Sequence, residues 1–88
     1  MKQVEAAIQN SVGLHARPAA LFVQTAQKYK SEIKVSYNNK MVNGKSLLGI
    51  LSLAVTKGAK ISIHIDGEDE DIALGNLTTL IANDFNEQ

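Results

Sequence analysis

The N-terminal part of the chain changes from a strand pattern of apolar positions to a helical one. Val4, Ala6 and Ile8 alternate with polar residues, which is typical of a β-strand with one buried face. Pro18 stands where a helix can begin, because the first turn of a helix does not use its amide hydrogens. A stripe at spacings of three and four then predicts a helix that runs to about Lys30. Its apolar residues are Ala19, Phe22, Val23, Ala26 and Tyr29.

The middle of the chain predicts a hairpin followed by a short helix. Residues 33–37 alternate between apolar and polar positions and predict a second strand. Asn38 and Asn39 form a two-residue turn signal, because asparagine tolerates the positive φ that such turns need. A short return strand over residues 41–42 follows, and Ser46 is then placed to cap the short helix behind it.

The C-terminal part predicts one more strand and one more helix. Ile61, Ile63 and Ile65 alternate with polar residues in the clearest strand pattern of the chain. The acidic run from Glu68 to Asp71 then marks the start of a helix, where the helix dipole favours negative charge. The apolar residues of that helix are Ile72, Ala73, Leu77, Leu80 and Ile81.

The predicted element order is β-α-β-β-α-β-α. Short strands with hairpin-length and helical connections indicate an α+β fold, in which helices cover one face of an antiparallel sheet. A chain of 88 residues has the size of one small domain, so we expect residues 1–88 to fold as a single unit.

Charge, cysteine content and apolar run lengths exclude several classes of protein. The net charge is zero, with nine basic and nine acidic residues, whereas nucleic-acid binders are usually basic. Without cysteine, the chain has no disulfide scaffold, thiolate zinc site or thiol nucleophile. The apolar runs are too short to span a membrane. Residues 1–5 also lack the long apolar region of a signal peptide, so we expect a cytoplasmic protein.

His15 is the first candidate for chemistry. It directly precedes the predicted helix, where free amide groups and the helix dipole favour an anion, and Arg17 adds a fork of donors suited to phosphate. A neutral imidazole is a good nucleophile near neutral pH, so this arrangement fits a histidine that is phosphorylated. The residues alone also allow an ordinary loop histidine beside a surface arginine.

Ser46 is the second candidate. A hydroxyl at a helix start is a position where an added phosphate is electrostatically favourable. Leu47, Leu48 and Leu51 cannot all face inward on so short a helix, so part of this set is expected to form an exposed apolar docking patch. A plain capping serine on a buried helix is the alternative.

Other chemistry-bearing residues have simpler interpretations. His64 alternates with isoleucines, which predicts a solvated position on the polar face of a strand. The acidic run is explained by the helix start, so we expect no metal site and no cofactor. The element order is also that of RNA-binding sheets, but the first strand carries none of the stacking aromatic residues that such sheets display.

Two motifs together resemble a known family. The segment Gly13-Leu14-His15-Ala16-Arg17-Pro18-Ala19, followed by KSLLGILSLA from Lys45, is similar to the HPr family, the histidine-containing phosphocarriers of the bacterial phosphoenolpyruvate-dependent sugar phosphotransferase system. The resemblance extends over essentially the whole chain. It implies an open-faced β-sandwich, in which three helices cover one face of four antiparallel strands, and a carrier rather than an enzyme.

The resemblance also implies roles for the candidate residues. His15 matches the histidine that accepts a phosphoryl group on Nδ1 from phosphorylated enzyme I and passes it to a sugar-specific enzyme IIA, and Arg17 matches a residue that assists there. Ser46 matches a regulatory serine that an ATP-dependent HPr kinase/phosphorylase modifies in Gram-positive-type relatives. In those relatives the modified form is a corepressor for catabolite control protein A. The docking face is expected to comprise Leu14, Ala16, Ala20, Leu47, Leu48 and Leu51.

Some positions depart from the family pattern. Gly44 stands where relatives often have a larger residue, which predicts a looser turn before Ser46. Gln24 and Gln27 replace lysines that some members carry, so a basic contact to partners is expected to be lost or shifted to Lys28. We expect a monomer. The alternative function is a purely regulatory HPr paralogue, or a carrier in a phosphotransfer chain that does not serve sugars.

Overall fold

The alternating segments form one four-stranded antiparallel sheet. The computed structural model describes residues 1–86. The strands lie side by side in the order β1-β4-β2-β3, so β1 and β3 are the edges. Their bounds are β1 (Lys2–Ala7), β2 (Glu32–Tyr37), β3 (Lys40–Asn43) and β4 (Lys60–Asp66).

Three helices cover one face of the sheet, which confirms the α+β class and the open-faced β-sandwich. They are α1 (Ala16–Ala26), α2 (Leu47–Ser52) and α3 (Glu70–Ala82), and a single 3₁₀ turn follows at Asp84–Asn86. None of the helices within residues 1–86 has the length and apolar character needed to cross a bilayer.

The core lies between the helices and the covered face of the sheet. Its strand residues are the alternating ones that the pattern predicted, and the register places Val35 and Val4 on either side of Ile63 in the central strand β4. The stripe of α1 is buried at Ala19, Phe22, Val23 and Ala26. Burying these apolar side chains is the main favourable contribution to folding.

Helix α1 ends at Ala26, so the prediction of a helix to Lys30 is wrong. The amides of Lys28 and Tyr29 donate to carbonyls three residues back, which tightens the last turn. The amides of Lys30 and Ser31 then leave the helix and donate to the Asp69 carboxylate, at 2.8 and 3.0 Å. Tyr29 therefore packs against the core from a loop.

Only part of the apolar set that marked α3 in the sequence is buried. Ala73, Leu77 and Ile81 are buried, whereas Ile72 is 64% exposed. Ile72 lies one residue before Ala73, which turns its side chain by about 100° around a helix of 3.6 residues per turn. Ile72 therefore belongs to the outer face of α3, although it is one of the apolar residues that marked this helix in the sequence.

Two turns depend on positive φ or close backbone approach. Asn38 and Asn39 have φ of 56° and 66°, which confirms the two-residue hairpin turn between β2 and β3. Gly44 donates to the Ile33 carbonyl at 2.7 Å, and a Cβ on Gly44 would lie 2.6 Å from the Ile33 Cγ2. The expectation that Gly44 loosens the turn before Ser46 is therefore wrong, because the missing side chain lets the loop pack tightly against β2.

Asp69 ties the start of α3 to the loop before β2. Its carboxylate accepts the two backbone amides described above and also the Ser31 hydroxyl. These hydrogen bonds, first that from the Ser31 hydroxyl and then that from the Lys30 amide, lower the pKa of Asp69 below its ordinary value. The acidic run thus starts a helix, as predicted. Within residues 1–86 no group of three or more His, Asp or Glu side chains is arranged to hold a metal ion.

The hydrogen bonds to the Asp69 carboxylate, which we call the Asp69 tether, should make the stability of the fold depend on pH in the acid range. A carboxylate whose pKa is lowered by folding stabilises the protein at pH values above its ordinary value of 3.8. That stabilisation is lost as the pH falls through the lower pKa of the folded state. We expect Asp69→Asn to lower the melting temperature at neutral pH and to flatten its decline in acid.

Thermal unfolding from neutral to acid pH measures both effects. Asp71→Asn is the matched control, because the Asp71 side chain is 79% exposed and pairs with Lys2 across 3.3 Å at the surface. Equal acid dependence in Asp69→Asn and wild type would contradict the tether.

Two glycines should respond to alanine with opposite signs. Gly75 lies inside α3, and an added Cβ would meet no atom of residues 1–86 within 4 Å. Gly75→Ala should therefore stabilise the fold by about 1 kcal/mol, since alanine is the better helix former. Gly44→Ala should destabilise it, because the Cβ overlaps Ile33. Urea unfolding at constant m value gives both numbers, and a destabilised Gly75→Ala would refute the assignment of open space.

Candidate functional site

His15 is the N-cap residue of α1 and uses its backbone for that role. Its φ and ψ are −85° and −167°, and its carbonyl accepts the Ala19 amide at 2.8 Å. The imidazole makes no capping hydrogen bond and is exposed. The backbone of His15 therefore caps the helix, while its side chain is left at the surface.

The loop before His15 is packed against a second loop. Gly13 has φ of 63°, and a Cβ there would overlap the carbonyl oxygen of Val55 and lie 2.8 Å from Cα of Thr56. The Leu14 amide donates to that Val55 carbonyl at 3.0 Å. Only glycine permits this close approach. The backbone leading into His15 is therefore fixed by neighbours distant in sequence.

Leu14 is placed differently from the expectation. Its side chain is 2% exposed and belongs to the hydrophobic core. It is therefore mainly a core residue, and only its small exposed fraction lines the hollow described below. Ala16 is exposed and Ala20 half-buried, so both remain on or near the surface.

The N-terminus of α1 is electropositive. The Ala16 and Arg17 amides have no carbonyl to bind within the helix, and Pro18 has no amide hydrogen. The first turn contains no acidic residue. The Arg17 side chain is exposed, and no ion pair among residues 1–86 involves it. Helix dipole and guanidinium thus both favour an anion beside His15.

An open hollow adjoins the His15 imidazole. It has a volume of about 460 Å³. Ala54 lines it and holds a φ of 54°, which is unusual for a residue with a side chain. The hollow is mainly apolar, and its lining consists of Val12, Leu14, His15, Ala16, Leu51, Ala54, Val55 and Thr56. The sequence pattern did not indicate the contributions of Val12 or of residues 54–56.

Ser46 caps α2, as predicted. Its hydroxyl oxygen accepts the Gly49 amide at 3.1 Å, and its carbonyl accepts the Ile50 amide at 3.0 Å. The side chain is half-buried, so the hydroxyl is engaged but lies at the surface. The capping bond is typical of serine at this position.

The loop before Ser46 is fastened to the end of α1. The Lys45 ammonium donates to the Tyr29 carbonyl at 2.6 Å, and the Gln27 amide donates to the Lys45 carbonyl at 3.1 Å. Lys45 also donates its backbone amide to the Asn43 side chain at 2.9 Å. Gln27 and Gln24 are both exposed, but the Gln27 side chain joins the end of α1 to the Ser46 loop.

Helix α2 carries an apolar patch at the surface. Ile50 is its buried anchor, whereas Leu47 is 41% and Leu48 80% exposed. We call Leu47 and Leu48 the leucine patch. Leu51 is half-buried and lines the hollow beside His15. Leu51 therefore connects the hollow beside His15 to α2, the helix that also carries the leucine patch and is capped by Ser46.

His64 lies outside this surface. It is half-buried in β4, and its Nε2 is 3.2 Å from the Ser36 hydroxyl on the neighbouring strand β2. This position agrees with the prediction of a strand residue on the polar face of the sheet.

Comparisons with known proteins agree over the whole chain. Residues 2–83 match the family model of the PTS HPr component phosphorylation site. The phosphocarrier protein HPr of Xylella fastidiosa is 42% identical over 87 residues, which are 99% of this chain and 98% of that protein.

Solved structures give the same result. HPr from Thermoanaerobacter tengcongensis superposes with a TM-score of 0.97 at 50% identity, covering 100% of this chain and 99% of that one, and it has also been solved as a dimer. The catabolite repression protein Crh of Bacillus subtilis, described as a dimer with a swapping domain, has a TM-score of 0.75 at 39% identity over 96% of this chain and 97% of its own. The chain therefore belongs to the HPr family, the phosphocarrier proteins of the phosphotransferase system.

Proposed function

We propose that His15 is the residue that carries the phosphoryl group. The observation that supports this most strongly is an exposed imidazole at an electropositive helix start, beside an Arg17 that no carboxylate of residues 1–86 neutralises. Arg17 and the free amides of the first turn would hold the oxygens of the transferred group.

The transfer requires one bond to form and one to break. The lone pair of the unprotonated Nδ1 attacks phosphorus on phosphorylated enzyme I, while the proton of the neutral ring remains on Nε2. The bond between phosphorus and the donor group of enzyme I breaks, and its electron pair stays with that group. The reverse geometry then delivers the phosphoryl group to a sugar-specific enzyme IIA.

The exposure of His15 suits a carrier. Two different proteins must reach the same nitrogen in turn, which a buried site would prevent. Solvent on one side also limits how strongly the site stabilises the phosphorylated form, because electrostatic attraction weakens in water. A group that is held only moderately can be passed on.

The partners would dock on the leucine patch and the hollow. His15 and Leu51 both line the hollow, and Leu51 belongs to the same short helix as the leucine patch, which supports this proposal. Transient partners need only a small interface, and an exposed leucine pair beside an apolar hollow provides its centre. Ala16 and Ala20 would border this interface, whereas Leu14 supports it from the core.

Ser46 would be the regulatory position. A phosphate there adds about −1.5 to −2 charges next to the leucine patch. The charge would oppose docking of enzyme I, which must exclude water from those leucines. The same charge would attract a partner with an arginine cluster, in the manner of catabolite control protein A, after modification by an HPr kinase/phosphorylase.

The alternative is a purely regulatory relative such as Crh, or a carrier that serves a chain other than sugar uptake. The retained His15 and its electropositive surroundings favour the carrier. We propose a cytoplasmic location, because phosphoenolpyruvate is a metabolite of the cytoplasm. The monomeric state stays a prediction that sedimentation of the purified protein can test.

His15→Ala should abolish phosphorylation by enzyme I and phosphoenolpyruvate. The melting temperature should change little, because the exposed imidazole makes no capping bond. His64→Ala is the matched control and should still accept phosphate, since His64 lies in the sheet. Mass spectrometry under neutral conditions preserves the acid-labile group. Phosphate on the His15→Ala protein would overturn the assignment.

Two Ser46 variants should separate regulation from capping. Ser46→Asp keeps a good N-cap and adds a charge, so we expect near-normal stability and phosphorylation of His15 slowed by about tenfold or more. Ser46→Ala loses the bond from Gly49, so we expect a stability loss of about 1 kcal/mol and a normal rate.

Enzyme I kinetics and thermal unfolding of both variants give the answer. Equal phosphorylation rates would show that the charge does not reach the docking surface. A large fall in the melting temperature of Ser46→Asp alone would show that its effect is structural.

A further inference from the structure

Asn10 is a buried polar residue in the loop between β1 and α1. It is 3% exposed, and Ser31 is the only other buried polar residue among residues 1–85. Neither the strand pattern nor the helical pattern of the sequence singled it out. Its position five residues before His15 makes its contacts relevant to the site.

Asn10 holds both peptide groups of Gly13. Its side-chain Nδ2 donates to the Gly13 carbonyl at 2.7 Å, and its backbone carbonyl accepts the Gly13 amide at 3.1 Å. Two hydrogen bonds in opposite directions close the turn from Asn10 to Gly13. The next amide, that of Leu14, is held by Val55 at 3.0 Å. The chain is thus fixed at three successive points before it reaches His15.

Only one of the two polar atoms in the Asn10 side-chain amide forms a hydrogen bond. Its Oδ1 is buried and has no hydrogen-bond partner among the described residues. The opposite amide orientation would place Oδ1 against the Gly13 carbonyl, two acceptors facing each other, so the observed orientation is the favourable one. A buried acceptor without a donor destabilises the folded state. Stability alone therefore does not account for an asparagine at this position.

We propose that Asn10 is a positioning residue for phosphoryl transfer at His15. The inference rests on the proposed role of His15. By fixing the Gly13 peptide planes, the Nδ2 bond sets the direction in which the chain enters the N-cap, and so the place of the imidazole relative to the Arg17 side chain and the free amides. Loss of this bond lets the loop adopt other conformations, and the imidazole is then aligned for attack for less of the time.

The experiment measures kcat and KM of enzyme I with Asn10→Ala as the phosphoryl acceptor, together with its melting temperature. We expect kcat to fall by about tenfold or more, because misalignment acts on the chemical step. KM should stay within about twofold, because the leucine patch is untouched. The melting temperature should stay within about 4 °C, because the lost hydrogen bond is offset by removal of the unpaired acceptor.

Two further variants sharpen the test. Asn10→Asp keeps the shape but replaces the donor by an acceptor at neutral pH, so its kcat should fall at least as far as that of Asn10→Ala. Ser11→Ala changes an exposed residue of the same turn and should match wild type. Backbone amide NMR spectra confirm that each variant is folded.

Each contrary outcome has a distinct meaning. A normal kcat in Asn10→Ala would overturn the proposal, as would a raised KM with normal kcat, which would assign Asn10 to docking. A melting temperature of Asn10→Ala so low that part of the protein is unfolded in the kinetic assay would also overturn the proposal, because the loss of activity would then reflect loss of the fold. Failure of the proposed function itself would appear in wild type, as phosphate absent from His15.

Discussion

The burial of one face of α1 against the sheet decides where the phosphoryl transfer that we propose for His15 can take place. Ala19, Phe22, Val23 and Ala26 fix the rotation of the helix about its axis, and Pro18 is buried at its first turn. The start of the helix lies at the surface, with free amides and no acidic residue in its first turn. His15 and Arg17 inherit their exposure from this packing, so an apolar stripe determines the electrostatics of the site.

The same packing explains why the molecule is a carrier and not a catalyst. Its site provides charge complementarity on one side only, and the other side is left for a partner protein to complete. The hollow and the leucine patch lie beside His15 on the flank built by α2, a helix with Ile50 as its buried anchor. A short helix with one buried residue presents most of its apolar surface outward, which is unfavourable in isolation and useful for transient docking.

Sequence periodicity predicted the elements that bury a face, and the two sequence motifs predicted the family. The predictions from local sequence were wrong where contacts with residues distant in sequence determine the structure. The end of α1 is set by Asp69, which captures the Lys30 and Ser31 amides from the far end of the chain. Gly44 was misjudged for the same reason, since its tight turn depends on Ile33 in another element. The hollow beside His15 also combines residues that no single stretch of sequence joins.

Two departures from simple packing rules lie in the loops around His15, namely an alanine at positive φ and a buried acceptor without a donor. Gly13 and Ala54 hold positive φ on the two loops that meet there, and Asn10 keeps a buried acceptor without a donor. The strands and the stripe of α1, by contrast, follow the simplest rules of packing and pairing. Residues that break local rules persist only where the surrounding structure fixes them, and they concentrate at functional sites. The sheet and α1 supply that rigid surrounding. The favourable free energy of their packing offsets the unfavourable conformation of the exposed loop before His15.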